Sequence, residues 1–215
     1  MADWAALFER ETGRYRDGEE RLGGDADERQ RQLIRMGNAA WGAGLSLLMQ
    51  GDDDARSWLE LAAARWRESY DDAPPGSWGR PIGAIKAFVL AGEWSAAEET
   101  ARWALAEGAA ESESPIGRYA AALACSVLGD REGGRIHADA IRIRDDFPRD
   151  VGDALATIAA EDVVGYVEAV ESVLESFETR EDYLEDVPVA DTVLVLQGLA
   201  ARRNMAADLT SDLLP

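Results

Sequence analysis

A short pattern recurs through the middle of this chain. Pro81-Ile82-Gly83 returns 34 residues later as Pro115-Ile116-Gly117, and the next helix-opening proline, Pro148, follows 33 residues after that. Each proline begins an apolar run, because a residue with fixed φ and no N–H fits the first turn of a helix and nowhere deeper. Gly92 ends the run Pro81–Ala91 and Gly129 ends Pro115–Leu128, with a second helical run after each. A period of 33 to 34 residues with two helices per unit is the arithmetic of a helical-hairpin solenoid. One hairpin cannot bury its apolar face alone, so units must stack. No segment shows the strict alternation of a half-buried strand. The expected fold class is all-α: stacked antiparallel helical hairpins forming an α-α superhelix.

The flanks extend this pattern. Asp3 to about Leu22 places Trp4, Leu7, Phe8, Glu11, Tyr15 and Leu22 on one face and breaks at Gly23-Gly24. A second helix spans Asp27 to Gln50, with carboxylates at its start and Gly51 past its end as a left-handed cap. Asp52-Asp53-Asp54 is expected to cap a third helix, to about Tyr70, that buries Trp58, Leu59, Ala62, Ala63 and Trp66. Asp71–Gly79 is the clearest loop. A single domain over 1–215 is expected, in which 1–72 can form an N-terminal subunit and 80–203 the hairpin repeats. Ser95-Ala-Ala-Glu98 reads as a capping box, and Asp145-Asp146 as cap residues. Pro188 opens a last helix reaching Arg203 and capped by Asn204. Its run Val187–Ala201 is apolar nearly all round. It is expected to be buried within the chain, under the N-terminal segment and the tail Leu209–Pro215, in preference to forming a subunit interface.

Gly92-Glu93-Trp94, with Ala97, Ala101 and Ala104 three, seven and ten positions after the aromatic, resembles the middle of a tetratricopeptide repeat. Gly129-Asp130-Arg131 with Ala138, and Gly51-Asp52-Asp53, match it more weakly. The Trp and Leu-Gly of that family's first helix are absent at its spacing. The resemblance covers about residues 45 to 180. It implies a scaffold that binds a protein or peptide partner in a groove lined by the first helix of each hairpin. On that pattern the helices starting near Asp27, Pro81 and Pro115 contribute Arg35, Asn38, Lys86 and Arg118, candidates for a local anion or carboxylate site. Gly51-Asp52 followed by Trp58-Leu59 and Ala62-Ala63, with a closing helix ending Ala-Arg-Arg, is also similar to helical immunity proteins of bacterial polymorphic toxin systems. That similarity implies neutralisation of a basic toxin.

Charge narrows the partners. With 42 acidic and 22 basic residues the net charge is −20, and Lys86 is the only lysine. Such a field repels phosphate backbones and anionic membranes, so neither nucleic acid nor membrane is an expected partner. The acidity suits a basic partner, or a habit of working in molar salt, where the Debye length falls to about 3 Å and self-repulsion is screened. The second explanation is favoured. The start Met1-Ala-Asp-Trp lacks the basic and apolar regions of a secretory leader. Apolar runs fall short of the roughly 20 residues of a membrane span. A cytoplasmic location is expected.

Residues for catalysis are sparse. One histidine, His137, and one cysteine, Cys125, both on Ala/Ile-rich helices, cannot supply a zinc site. A triad would have to use that histidine, which reads instead as a packed residue. Cys125 reads as a small buried hydrophobe. Asp52–Asp54 and Asp145-Asp146 are the densest carboxylate groups for a carboxylate-only enzyme, the least favoured class. There is no Walker or dinucleotide-binding glycine motif. Gly42 and Gly44 read as points of close helix contact, and the seven Trp as packing. Neither a cofactor nor a metal is expected, and the leading function is a non-enzymatic interaction scaffold.

Overall fold

The computed structural model describes residues 2–215, Met1 lying outside the described residues. Among these the chain forms ten α-helices and no strand: α1 Trp4–Glu20, α2 Ala26–Leu48, α3 Ala55–Glu68, α4 Gly79–Leu90, α5 Trp94–Ala106, α6 Pro115–Leu128, α7 Arg131–Arg142, α8 Arg149–Ala160, α9 Val163–Glu178 and α10 Asp191–Ala201. Short 3-10 turns occupy Ala109–Glu111 and Leu184–Asp186. Each helix packs on the next from α1 to α9, so the fold is all-α, built from consecutively packed helical hairpins. No helix is long and apolar enough to cross a membrane.

One local geometry repeats. At five helix ends the amide just past a left-handed residue reaches back five residues: Asp52 to Leu47 O (3.0 Å), Glu93 to Phe88 O (2.9 Å), Asp130 to Cys125 O (2.9 Å), Asp162 to Thr157 O (3.0 Å) and Met205 to Ala200 O (3.0 Å). The left-handed residue is Gly51, Gly92 and Gly129 in the first three, as expected for a side-chain-free position, and Asn204 in the last. Glu161 takes the same conformation at φ 54°, without the freedom glycine provides.

Several helix starts differ from expectation. Asp54 precedes α3 but makes no side-chain cap; instead Asp52 accepts from the Asp54 amide at 2.9 Å, a local turn competing with a cap. Ser95 is the second residue of α5, which begins one residue earlier behind Glu93, so no capping box forms. Asp146 is held by Arg144 at 2.7 Å on both oxygens, and Pro148 is the residue that precedes α8. The last helix begins at Asp191, not Pro188, since Val187–Ala190 is non-helical. Pro81 sits third in α4, whereas Pro115 is the first residue of α6.

The first helices α4, α6 and α8 touch in sequence and form one layer, and α10 lies against α4, α8 and α9. Two apolar clusters result. One runs through α4 to α10 around Ile85, Leu123, Leu155 and Tyr166; the other joins α1 to α3 with Ala84 and Ala87 of α4 and with Val187 and Val189. Ala97, Ala101 and Ala104 of α5 are fully buried, as close helix packing requires. Gly42 admits the side chain of Glu11, whose Cγ stands 2.9 Å from where a Cβ would be, and Gly44 admits Leu59 at 2.8 Å. The apolar α10 is buried within the chain, its one mid-helix polar group satisfied: Gln197 accepts from Tyr166 (2.7 Å) and the Ala207 amide (3.0 Å) and donates to Ala207 O (2.6 Å).

Candidate functional site

The site lies at the seam between α2 and α4. Gly37 on α2 and Gly83 on α4 both face the indole of Trp66, which rises from α3 between them. A Cβ at either position would come within 2.7 Å of that ring. Two missing methyl groups thus let one large flat side chain form the floor of a cavity of about 400 Å³. Ile34, Asn38 and Trp41, spaced four and three apart on α2, form one wall. Ile82, Gly83 and Lys86 of α4 form the other, with Arg80 also lining the cavity and Leu184 at the lip. Trp41 and Trp66 meet at 5.7 Å between ring centroids with planes tilted by 54°.

Polar contacts hold this frame. Trp66 Nε1 donates to Asn38 Oδ1 at 3.0 Å, and Asn38 Nδ2 donates to Glu185 Oε1 at 3.0 Å. Glu185 is also paired with Arg14, which joins the wholly buried Glu11 on α1. Glu185 and Asp186 both take left-handed backbone conformations, at φ 56° and 53°, so the lip is a strained turn fastened to α2 by its side chain. At the other end Lys86 is ion-paired to Asp191, the first residue of α10, and donates to Thr192 Oγ1 at 3.1 Å. Its ammonium stands 5.7 Å from the Trp41 ring centroid. Burial works against the Lys86 charge, but the Asp191 carboxylate and, after it, the Tyr119 phenol together more than offset it, and the pKa rises above its ordinary value.

Arg80 differs from Lys86, the other base lining the cavity. It is 6% exposed, and its Nη2 donates to Gln30 Oε1, while Nε and Nη1 are buried with no partner. Burial pulls the guanidinium below its ordinary pKa, with the Tyr70 phenol opposing. Trp41 Nε1 is a second buried donor without an acceptor.

A second cavity of about 360 Å³ adjoins the first, sharing Gly79 and Ile82. Ile116 and Tyr119 of α6, Val151 of α8 and Phe177 of α9 line it, and Thr192 closes its edge beside the Lys86–Asp191 pair. The two form an apolar trough along the first helices, walled by the start of α10.

Of the residues singled out in the sequence, Asn38 and Lys86 come together in this site. Arg35 is exposed, donates to Gln32 Oε1 at 3.1 Å, and faces a separate shallow cleft beside Arg31. Arg118 turns away from the trough, donating to Ala110 O at 2.7 Å and lying 3.3 Å from His137 Nδ1. Burial and the Arg118 cation both lower the His137 pKa. Burial pushes the Cys125 thiol up to about 11, with Asp130 adding to the shift, which leaves it protonated and unreactive at neutral pH. No group of three or more His, Cys, Asp or Glu among the described residues is arranged to hold a metal ion. Arg80, Trp41 and Trp66 went unremarked as site residues. The signal that could have found them is the pair of glycines opposite an indole, which only the folded neighbourhood reveals. No family model matches the chain, and none of the curated proteins or solved structures compared with it is significantly similar.

Proposed function

We propose that this chain is a non-enzymatic interaction protein, a tetratricopeptide-like stack of helical hairpins that holds a segment of a partner protein along its first helices. One observation carries the reading: the trough from α2 to α9 is apolar, adjoins a clasped ion pair, and is lined by Ile82, Ile116 and Phe177. Ile116 is 43% exposed there, an apolar side chain left open to a ligand. The trough is shorter than a full hairpin stack would offer, because α10 of the same chain fills its far side. Capture of a partner at the salt of the native lysate, comparing wild type with Ile116→Glu, tests this. Loss of the partner from the folded variant is expected, with Arg35→Glu retaining it as a control outside the trough. A partner held equally by all three chains would overturn the reading.

A second reading, neutralisation of a basic toxin, draws on a different face. Glu168, Glu171, Glu175 and Glu178 stand exposed along one side of α9. Such a stripe speeds encounter with a basic surface. Under that reading the capture survives Ile116→Glu and is lost when Glu171 and Glu175 become Gln.

A further inference from the structure

The α2–α4 cavity holds more hydrogen-bond donors than acceptors. Its one lining carboxylate, Asp191, is already neutralised by Lys86. Arg80 brings a full positive charge that is buried, touches one neutral amide, and has no carboxylate within ion-pairing distance among the described residues. Water is a poor remedy, since the two free N–H groups are closed off from it. A buried charge in this state is destabilising unless a counter-ion meets it. Elsewhere the chain has carboxylates in excess, 42 against 22 bases, yet none is placed here. The remaining walls are flat and apolar: two indoles tilted toward each other, Ile34, Ile82 and Leu184.

We propose that this cavity binds a small free organic acid whose carboxylate pairs with Arg80 and whose flat apolar body lies against Trp41 and Trp66. Guanidinium is the side chain that meets a carboxylate with two parallel N–H groups; on this edge the pair is Nε with Nη2, which becomes available when Nη2 leaves Gln30 Oε1. The volume of about 400 Å³ is in the range of small-molecule sites. Leu184 and the Lys86–Asp191 pair line this cavity and not the adjoining one, so a small molecule can occupy it while the rest of the trough stays open. Nε has no surface in the cavity, so pairing requires the Arg80 side chain to turn from Gln30 toward it. This inference does not depend on the trough taking a partner segment.

The test uses the full chain and 3-phenylpropionate as the probe, with 3-phenylpropionamide as its uncharged match. Binding is followed by calorimetry and by the NMR signals of Trp41 Nε1–H and Arg80 Nε–H, assigned through Trp41→Phe and Arg80→Met. The acid should shift both signals saturably and bind about tenfold or more tightly than the amide, as expected for a charge-assisted pair. Arg80→Met should erase that preference while far-UV circular dichroism stays unchanged. Equal binding of acid and amide, unmoved signals, or an intact preference in Arg80→Met would each overturn the proposal. If Arg80→Met does not fold, the acid–amide ratio on the wild-type chain decides alone. Acetyl-Gly-Gly-Phe with a free carboxylate binding more tightly than 3-phenylpropionate would also overturn it, assigning the pocket to a chain end. Ile116→Glu should leave acid binding intact, so failure here and failure of the trough reading are separable.

Discussion

The two halves of the molecule achieve close packing by different means. Across α4 to α9, alanine does the work: Ala97, Ala101 and Ala104 on α5 and Ala120, Ala121, Ala122 and Ala124 on α6 are all fully buried. Uniformly small side chains let many helices approach at similar spacing, and the result is regular. From α1 to α3, buried alanines such as Ala40, Ala62 and Ala63 recur, but glycine is added to them. Gly37, Gly42 and Gly44 each make room for one particular large group, Trp66, Glu11 and Leu59. Such packing is specific, and it leaves irregular space. The cavity sits where the two styles meet, on α2 from one region and α4 from the other. Regular packing builds the frame, and the mismatch at its border makes the site.

Four outcomes would break or sharpen this contrast. The largest effect is expected at the seam. Asp191→Asn strands a mostly buried Lys86 and should lower unfolding free energy by about 3 kcal/mol, whereas Lys86→Met with Asp191→Leu should restore most of it. Urea titration of both distinguishes a clasp from an incidental pair. Next, Gly37→Ala and Ala101→Leu compare the two packing styles directly, and each should cost about 1–3 kcal/mol. Only Gly37→Ala should also perturb the near-ultraviolet dichroism of Trp66, because only there does the new methyl group meet a ring, at 2.7 Å. A neutral Gly37→Ala would end the argument that glycine makes room for the indole. Third, Glu161→Gly should stabilise the fourth turn by about 1 kcal/mol, since a left-handed backbone is costly for any residue but glycine. The smallest effect is one proton at His137. Its folded pKa is lowered, so the unfolded chain takes up that proton first. Its contribution is therefore present above the ordinary value of 6.5 and lost as pH falls below it. Stability measured from pH 7.5 to 5 should decline less steeply in His137→Gln than in wild type, once the shared carboxylate titration is subtracted.

The repeat was legible because it is local. Gly51, Gly92 and Gly129 mark left-handed ends that any reading of helix stops will find, and the alanines three, seven and ten places beyond Trp94 mark a buried face. The Glu161 turn was hidden because the residue gives no such mark. Candidate bases fared unevenly for a similar reason. Asn38 and Lys86 reach the site, but helix periodicity alone does not separate them from Arg35, which lies on the same helix as Asn38 and turns outward. Arg80 was passed over because an arginine after a glycine-rich loop reads as solvated. Its burial depends on Gln30, fifty residues earlier, and on Tyr70. Side chains that meet across long sequence separations carry no local signature.

The fastening of the C-terminal segment has a consequence for how the chain folds. A linear array of hairpins can nucleate anywhere and fray from either end, each unit answering only to its neighbours. Here Asn38 binds Glu185 and Lys86 binds Asp191, contacts spanning 147 and 105 residues. Such ties raise contact order and must form late, after the loop they close has been ordered. Once made, they couple the first helices to the last, so opening either end releases both. Hydrogen exchange should therefore find α2, α4 and α10 protected as one cooperative unit, with the array behaving as a ring and not as a row.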